Sequence, residues 1–145
     1  MPTSNKKREN MTTTPPFPLR VYYEDTDAGG VVYHANYLKF AERARTEWLR
    51  ELGHSQRRLC AEDNLLFAVR HLTIDYRASA RLDDRLEVET AITACGGASF
   101  DMRQTIRRDA TILAVLDVTL VAITPDFKVL RLPDWLRDTA EASLG

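Results

Sequence analysis

The 145-residue chain is short of the residues that metal and redox chemistry draw on, with three histidines and two cysteines. Cys60 and Cys95 stand far apart in no ligand spacing, which excludes a zinc ribbon, an iron–sulfur site or a disulfide framework. They read as two reduced thiols of a cytoplasmic protein. There is no apolar run long enough to span a bilayer, and the N-terminus lacks the apolar core of a signal peptide. Neither sign of charge is in excess: 20 Lys and Arg face 21 Asp and Glu, a net charge of -1. That balance argues against nucleic acid and against an anionic membrane surface as partners. Internal repeats are missing too, and no composition break divides residues 17–145, which are expected to form a single domain with a real core. Residues 1–16 are polar, with Lys6, Lys7 and Arg8 before a threonine run and Pro15-Pro16. They are expected to be a disordered leader, within which Met11 is an alternative start.

What the chain does have is concentrated in residues 21–52. Tyr37, Phe40, Ala41, Ala44, Trp48 and Leu52 recur at steps of three and four and so share one helical face. Asn36 or His34 can open this helix, and Gly53 can close it by taking the left-handed cap geometry. Leu38 and Leu49 lie off the main stripe, so the helix is expected to be covered on much of its circumference. Pro18 to Tyr23 reads as a strand leading towards it.

Past the helix, Ser55 is a good N-cap for a short second helix over 55–62. The period then changes to two. Strands are predicted over 66–76, 85–94, 99–108 and 111–124, with Gly96-Gly97 and Asp109-Ala110 as hairpin turns and Ser79 to Asp84 as a polar loop. The tail from Asp134 looks helical. Short turns force antiparallel pairing, and the apolar face of such a sheet needs a cover. The helix over 36–52 is the large apolar partner available, so the expected class is α+β, about five antiparallel strands wrapped on one long central helix.

Between first strand and helix lies a chemically loaded turn. Glu24, Asp25 and Asp27 precede Gly29 and Gly30. A helix start presents unpaired N–H groups and a partial positive charge, so a carboxylate and an N–H donor are placed close together by the chain itself. Asp25 and Asp27 can be plain turn and capping residues. A calcium loop fits Asp25, Asp27 and Gly30, but Gly29 and Asn36 stand where further oxygen ligands, the last a bidentate Glu, are needed. A phosphoryl-transfer aspartate would need parallel strands where this sequence predicts a meander. The remaining reading is a carboxylate that attacks an acyl carbonyl, or directs water to it.

The run from Tyr22 through Asp25-Thr26-Asp27-Ala28-Gly29-Gly30-Val31-Val32-Tyr33-His34-Ala35-Asn36-Tyr37, followed by Glu42-Arg43-Ala44-Arg45, resembles the hotdog-fold acyl-CoA thioesterases. The YbgC type, associated with the bacterial Tol-Pal system, is the nearest group, and the 4-hydroxybenzoyl-CoA thioesterases are wider relatives. The resemblance is dense over 21–52 and looser through Ile74-Asp75-Tyr76-Arg77 and 83–88. It implies a hotdog fold, subunits joined as a homodimer or homotetramer with active sites at the interface, and hydrolysis of acyl-CoA. No metal or cofactor is implied, coenzyme A being part of the substrate.

Carried over residue by residue, Asp27 matches the catalytic carboxylate, as nucleophile or general base. His34 matches the position at the helix start whose backbone N–H polarises the carbonyl, with the imidazole as a further aid. Tyr23 matches a tyrosine that orients carboxylate or water. Asp25 is expected to brace the turn, and Glu42 and Arg45 to form an ion pair. His54 and His71 are read as surface or strand histidines, and Arg77, Arg81 and Arg107 as solvated charge, although guanidinium forks also suit the phosphates of coenzyme A. The acyl group is expected to be short and aliphatic. Still open at this point are an acyl carrier protein as the carrier, an aromatic acyl group, a hotdog dehydratase, and a non-catalytic partner of the acyl-carrier or envelope machinery.

Overall fold

Strict alternation in the second half of the chain puts one apolar row on each strand, and those rows decide the fold. The computed structural model describes residues 14–144. Its elements are β1 (Phe17–Arg20), a 3-10 turn (Tyr23–Asp25), α1 (Asn36–Glu51), α2 (Gln56–Asp63), β2 (Leu66–Tyr76), β3 (Arg85–Cys95), β4 (Ser99–Arg108), β5 (Thr111–Ile123) and α3 (Asp134–Leu144). Residues 1–13 of the expected leader lie outside the described residues, and Pro15 and Pro16 are exposed. No helix among the described residues is long and apolar enough to cross a membrane.

The five strands form one antiparallel sheet in the order β1-β3-β4-β5-β2. Its inner face is built in rungs. Val88, Ile106 and Ala114 stand in register, as do Ile92, Met102, Val118 and Leu72. The outer face carries the charges, and cross-strand pairs such as Arg103–Asp117 (2.9 Å) and Arg107–Glu89 order it. The β3–β4–β5 meander turns at Gly96-Gly97 and Asp109-Ala110, as the turn chemistry predicts. Strand β2 departs from the simple reading. It lies beside β5, not β3, so residues 77–84 must carry the chain across the end of the sheet instead of making a hairpin.

Helix α1 lies against β3, β1 and β4 and buries Tyr37, Phe40, Ala41, Ala44 and Trp48, together with Leu49. Leu38 remains on the solvent side. The helix ends as predicted: Gly53 takes φ +91°, and the His54 N–H reaches back to the Leu49 carbonyl at 2.9 Å, the Schellman closure. Its start differs. Ala35 occupies the cap position with no side-chain cap, and Asn36 is the first helical residue. The cover is also shared. Helix α3 packs on β3 with Leu136 and Ala140 buried, and Trp135 stacks on His54 with ring centroids 3.7 Å apart. Ser55 caps α2 as expected, its hydroxyl accepting the Arg58 N–H.

The expected strand over Pro18 to Tyr23 is shorter than predicted. It stops at Arg20, and Val21 still exchanges bonds with Asp83 and Asp84 (3.0 and 2.9 Å). Beyond it, local polar groups outcompete the ladder. The Asp25 carboxylate accepts the Tyr22 N–H (2.9 Å), and the Thr26 hydroxyl donates to the Tyr23 carbonyl (2.7 Å).

One polar cluster sits inside the core. Gln104 is wholly buried, where the alternation of β4 calls for an apolar side chain. Its amide nitrogen donates to the Ala41 carbonyl (2.9 Å) and to Thr90 Oγ1 (3.0 Å), and its oxygen accepts from Arg45 Nη1 (2.9 Å). The expected Glu42–Arg45 ion pair is therefore replaced by a helix-to-sheet bond. Burial lowers the Arg45 pKa from its ordinary value, and the field of Glu42 opposes that shift.

Two outcomes follow from these contacts. Gln104→Leu strands a buried guanidinium and a helix carbonyl, and should cost about 3 kcal/mol in denaturant unfolding. The second concerns half-buried Asp84. Burial raises its pKa, but the Arg81 N–H and the Arg108 guanidinium, both at 2.8 Å, outweigh that and hold it below the ordinary carboxylate value. A depressed folded pKa stabilises above the unfolded value and is lost as pH falls through the folded one. Asp84→Asn should thus be less stable than the parent at neutral pH, and urea titrations should show the gap closing in strong acid.

Candidate active site

The acidic turn folds as a small hairpin. Thr26 bridges Val32, the Asp27 N–H donates to the Val31 carbonyl (2.9 Å), and the Gly30 N–H returns to the Asp27 carbonyl (3.0 Å). Gly30 sits at φ +81°, which a side chain would strain. The Asp27 carboxylate is exposed. Its Oδ1 accepts the Gly29 N–H at 2.8 Å, and among the described residues its Oδ2 has no partner. A methyl group on Gly29 would stand 3.3 Å from that Oδ1, so a small residue there leaves the carboxylate room.

Asp25 does what was expected of it and braces the turn. It is 3% exposed, and its two oxygens are shared between the Tyr22 N–H and the Asn36 side-chain amide, each at 2.9 Å. Its carbonyl accepts the Tyr33 N–H, also at 2.9 Å. The turn and the first residue of α1 are thereby one rigid piece. Asn36 takes part as this brace, not as the helix cap.

His34 lies just before α1. Its ring is exposed and leans against Tyr33, with centroids 4.4 Å apart, and it does not cap the helix. Its N–H donates to no acceptor among the described residues. The peptide unit before it is fixed, because the Tyr33 carbonyl accepts the Asn36 N–H at 2.8 Å. The carbonyl of His34 accepts the Tyr76 hydroxyl at 2.7 Å.

Tyr23 is 82% exposed, and no hydrogen bond joins its hydroxyl to Asp27. Asp27 and His34 thus flank the segment that Asp25 braces, and Tyr23 stands in the 3-10 turn that precedes it. Three other residues singled out in the sequence are engaged elsewhere. Arg77 pairs with Asp75 (2.9 Å), Arg107 with Glu89, and His54 stacks on Trp135. Among the described residues no cluster of three or more His, Cys, Asp and Glu is gathered to hold a metal ion.

Sequence reasoning missed the floor of the site. The crossover over 77–84 runs beneath the turn. The Ala80 carbonyl accepts the Val32 N–H (2.9 Å), the Ala80 N–H donates to the Tyr37 hydroxyl (3.0 Å), and Val31 bridges Arg81. Tyr76 ends β2 at the same place, its ring edge-on to Tyr37 at 5.5 Å. That it shares a face with Leu72 and Ile74 was legible from the alternation, but its partner 42 residues away was not. Further along α1, a cavity of about 190 Å³ is lined by Arg45, Phe67, Phe100, Met102 and Leu120, and none of its walls comes from the acidic turn.

Comparison with known proteins points one way. Residues 29–115 match the family described as "Thioesterase superfamily", a span that opens just after Asp27. The chain is 51% identical over 115 residues to the acyl-CoA thioester hydrolase YbgC of Escherichia coli O6:H1, covering 79% of this chain and 85% of that one. It is 50% identical over 107 residues to the acyl-CoA thioesterase YbgC of Haemophilus influenzae, covering 74% and 79%. The crystal structure of a probable thioesterase from Bartonella henselae superposes with a TM-score of 0.80 at 39% identity, covering 82% of this chain and 98% of that one.

The brace gives a direct test. Asp25→Ala leaves the Tyr22 N–H and the buried Asn36 amide without an acceptor, and should destabilise the fold by about 2 kcal/mol. Amide hydrogen exchange should rise first at Tyr22 and Tyr33.

Proposed function

The chain belongs to the thioesterase superfamily, and from that membership we propose that it hydrolyses acyl-CoA, with Asp27 as its reacting carboxylate. Water adds its oxygen to the carbonyl carbon, the carbon–sulfur bond breaks, and the products are a carboxylic acid and coenzyme A. Asp27 Oδ2 either attacks that carbon or takes a proton from the attacking water. The His34 N–H, at the positive end of α1, meets the oxygen as it gains charge.

The observation that carries this reading is the state of those two groups. One carboxylate oxygen and one main-chain N–H, on a single braced loop, are left without partners among the described residues. The chemistry needs only a carboxylate, an N–H donor and water, so the reading includes no metal and no cofactor.

Tyr23 joins the site in the assembled protein. On one chain the turn is ringed by exposed Tyr22, Tyr23, Tyr33 and Tyr76, which suits cover by a second subunit. A homodimer, paired further into a homotetramer, accounts for that surface. The acyl group is a short aliphatic one, carried on coenzyme A, with acyl carrier protein as the second carrier to compare. Reduced thiols at Cys60 and Cys95 fit a cytoplasmic location.

Release of free thiol from a panel of acyl-CoA and acyl-carrier thioesters tests the reading. Asp27→Asn should lower kcat by about 10²- to 10⁴-fold while the circular dichroism spectrum stays unchanged. A variant that keeps full turnover would overturn the assignment of Asp27.

A further inference from the structure

We infer that Tyr76 is a positioning residue, holding the main chain of His34 so that its N–H points at the developing oxyanion. This inference rests on the thioester-hydrolase reading above and adds to it a residue from the far edge of the sheet.

The two peptide units that flank His34 are held from different sides. The unit before it is fixed from within the turn, by the Asn36 N–H on the Tyr33 carbonyl. The unit after it is fixed from outside, by the Tyr76 hydroxyl on the His34 carbonyl at 2.7 Å. A residue whose neighbouring peptide planes are both pinned has little freedom in φ and ψ, so its N–H direction is set before substrate arrives. No other hydrogen bond among the described residues reaches the second unit. A donor already aimed costs no reorganisation during reaction, and that is the condition under which an oxyanion site is effective.

The tyrosine is itself well anchored. It is the last residue of β2, its backbone pairs with Ala114, and its ring meets Tyr37 edge-on. Tyr37 is held in turn by the Ala80 N–H. Burial first, and the neighbouring Tyr37 second, raise the Tyr76 pKa above the ordinary phenol value. The hydroxyl therefore stays a donor through the neutral and mildly alkaline range.

Tyr76→Phe deletes the hydroxyl and keeps the ring. The expected result is a kcat lower by about tenfold with KM within about twofold, as for a reacting group displaced by a fraction of an ångström. Binding of a trifluoromethyl ketone analogue of the acyl-CoA, whose hydrate mimics the tetrahedral oxyanion, should weaken by the same factor. Binding of the plain methylene ketone analogue should not change. Replacing Tyr76 with 4-aminophenylalanine, which still donates, should restore most of the lost turnover. Wild-type kcat in Tyr76→Phe would overturn the inference, as would a lower kcat with undiminished affinity for the fluorinated analogue. So would a donor-retaining variant as slow as Tyr76→Phe. Asp27→Asn assayed alongside keeps the two ideas apart: an inactive Asp27→Asn beside a fully active Tyr76→Phe removes the role of Tyr76 alone.

Discussion

The site depends on a crossing. Because β2 pairs with β5 and not with β3, residues 77–84 must span the width of two intervening strands at one end of the sheet. The span is about 14 Å at the usual strand spacing. That forced path brings Ala80 under the acidic turn, where its N–H and C=O bond to Tyr37 and Val32. It also leaves Tyr76, at the start of the crossing, against the entrance of α1. A hairpin between β2 and β3 would have left the turn without a floor. The half-buried Arg108–Asp84 pair and the bond from Arg108 to the Ser79 carbonyl hold the crossing in place.

The polar side chains divide by burial into those that hold and those that stay free to react. Asp25, Asn36 and Gln104 are buried and have their bonds satisfied within the chain. Desolvation makes each costly to leave unpaired, and so each fixes a local geometry. Asp27 and His34 lie on the same braced loop but outside the core, and each keeps a group unpaired among the described residues. A carboxylate two residues from another thus takes the opposite role. Oδ1 and Oδ2 of Asp25 are both consumed by the fold, whereas Asp27 gives up only Oδ1.

Arg45 shows how a helix can be tied to a sheet through a charge. The guanidinium comes from the buried side of α1, and its partner Gln104 sits in a row of β4 that is otherwise apolar. The amide bonds both the helix backbone and the neighbouring strand, so one side chain sets the height and rotation of α1 over β3 and β4. The entrance of the helix, and with it the His34 N–H, inherits that placement.

Much of this was legible in the chain itself. The steps of three and four over 36–52, the period of two from residue 66 onward and the glycine pair at 96–97 are local properties, and local periodicity is set by backbone geometry. The acidic turn was legible because turn and capping residues act over a few positions. The end of the first strand was misread because side-chain to backbone bonds at Asp25 and Thr26 compete with the ladder over the same few residues. The pairing of β2 with β5, the occupation of Arg45 by Gln104 and the bond from Tyr76 to His34 were not legible at all. Each joins residues tens of positions apart, and alternation tells which face a side chain takes but not what waits on the other side. The sequence by itself determined the elements and the chemistry of the turn. Tertiary packing alone decided what lies beneath that turn and what holds the entrance of α1, because those contacts follow from the pairing of β2 with β5, a property of the assembled sheet.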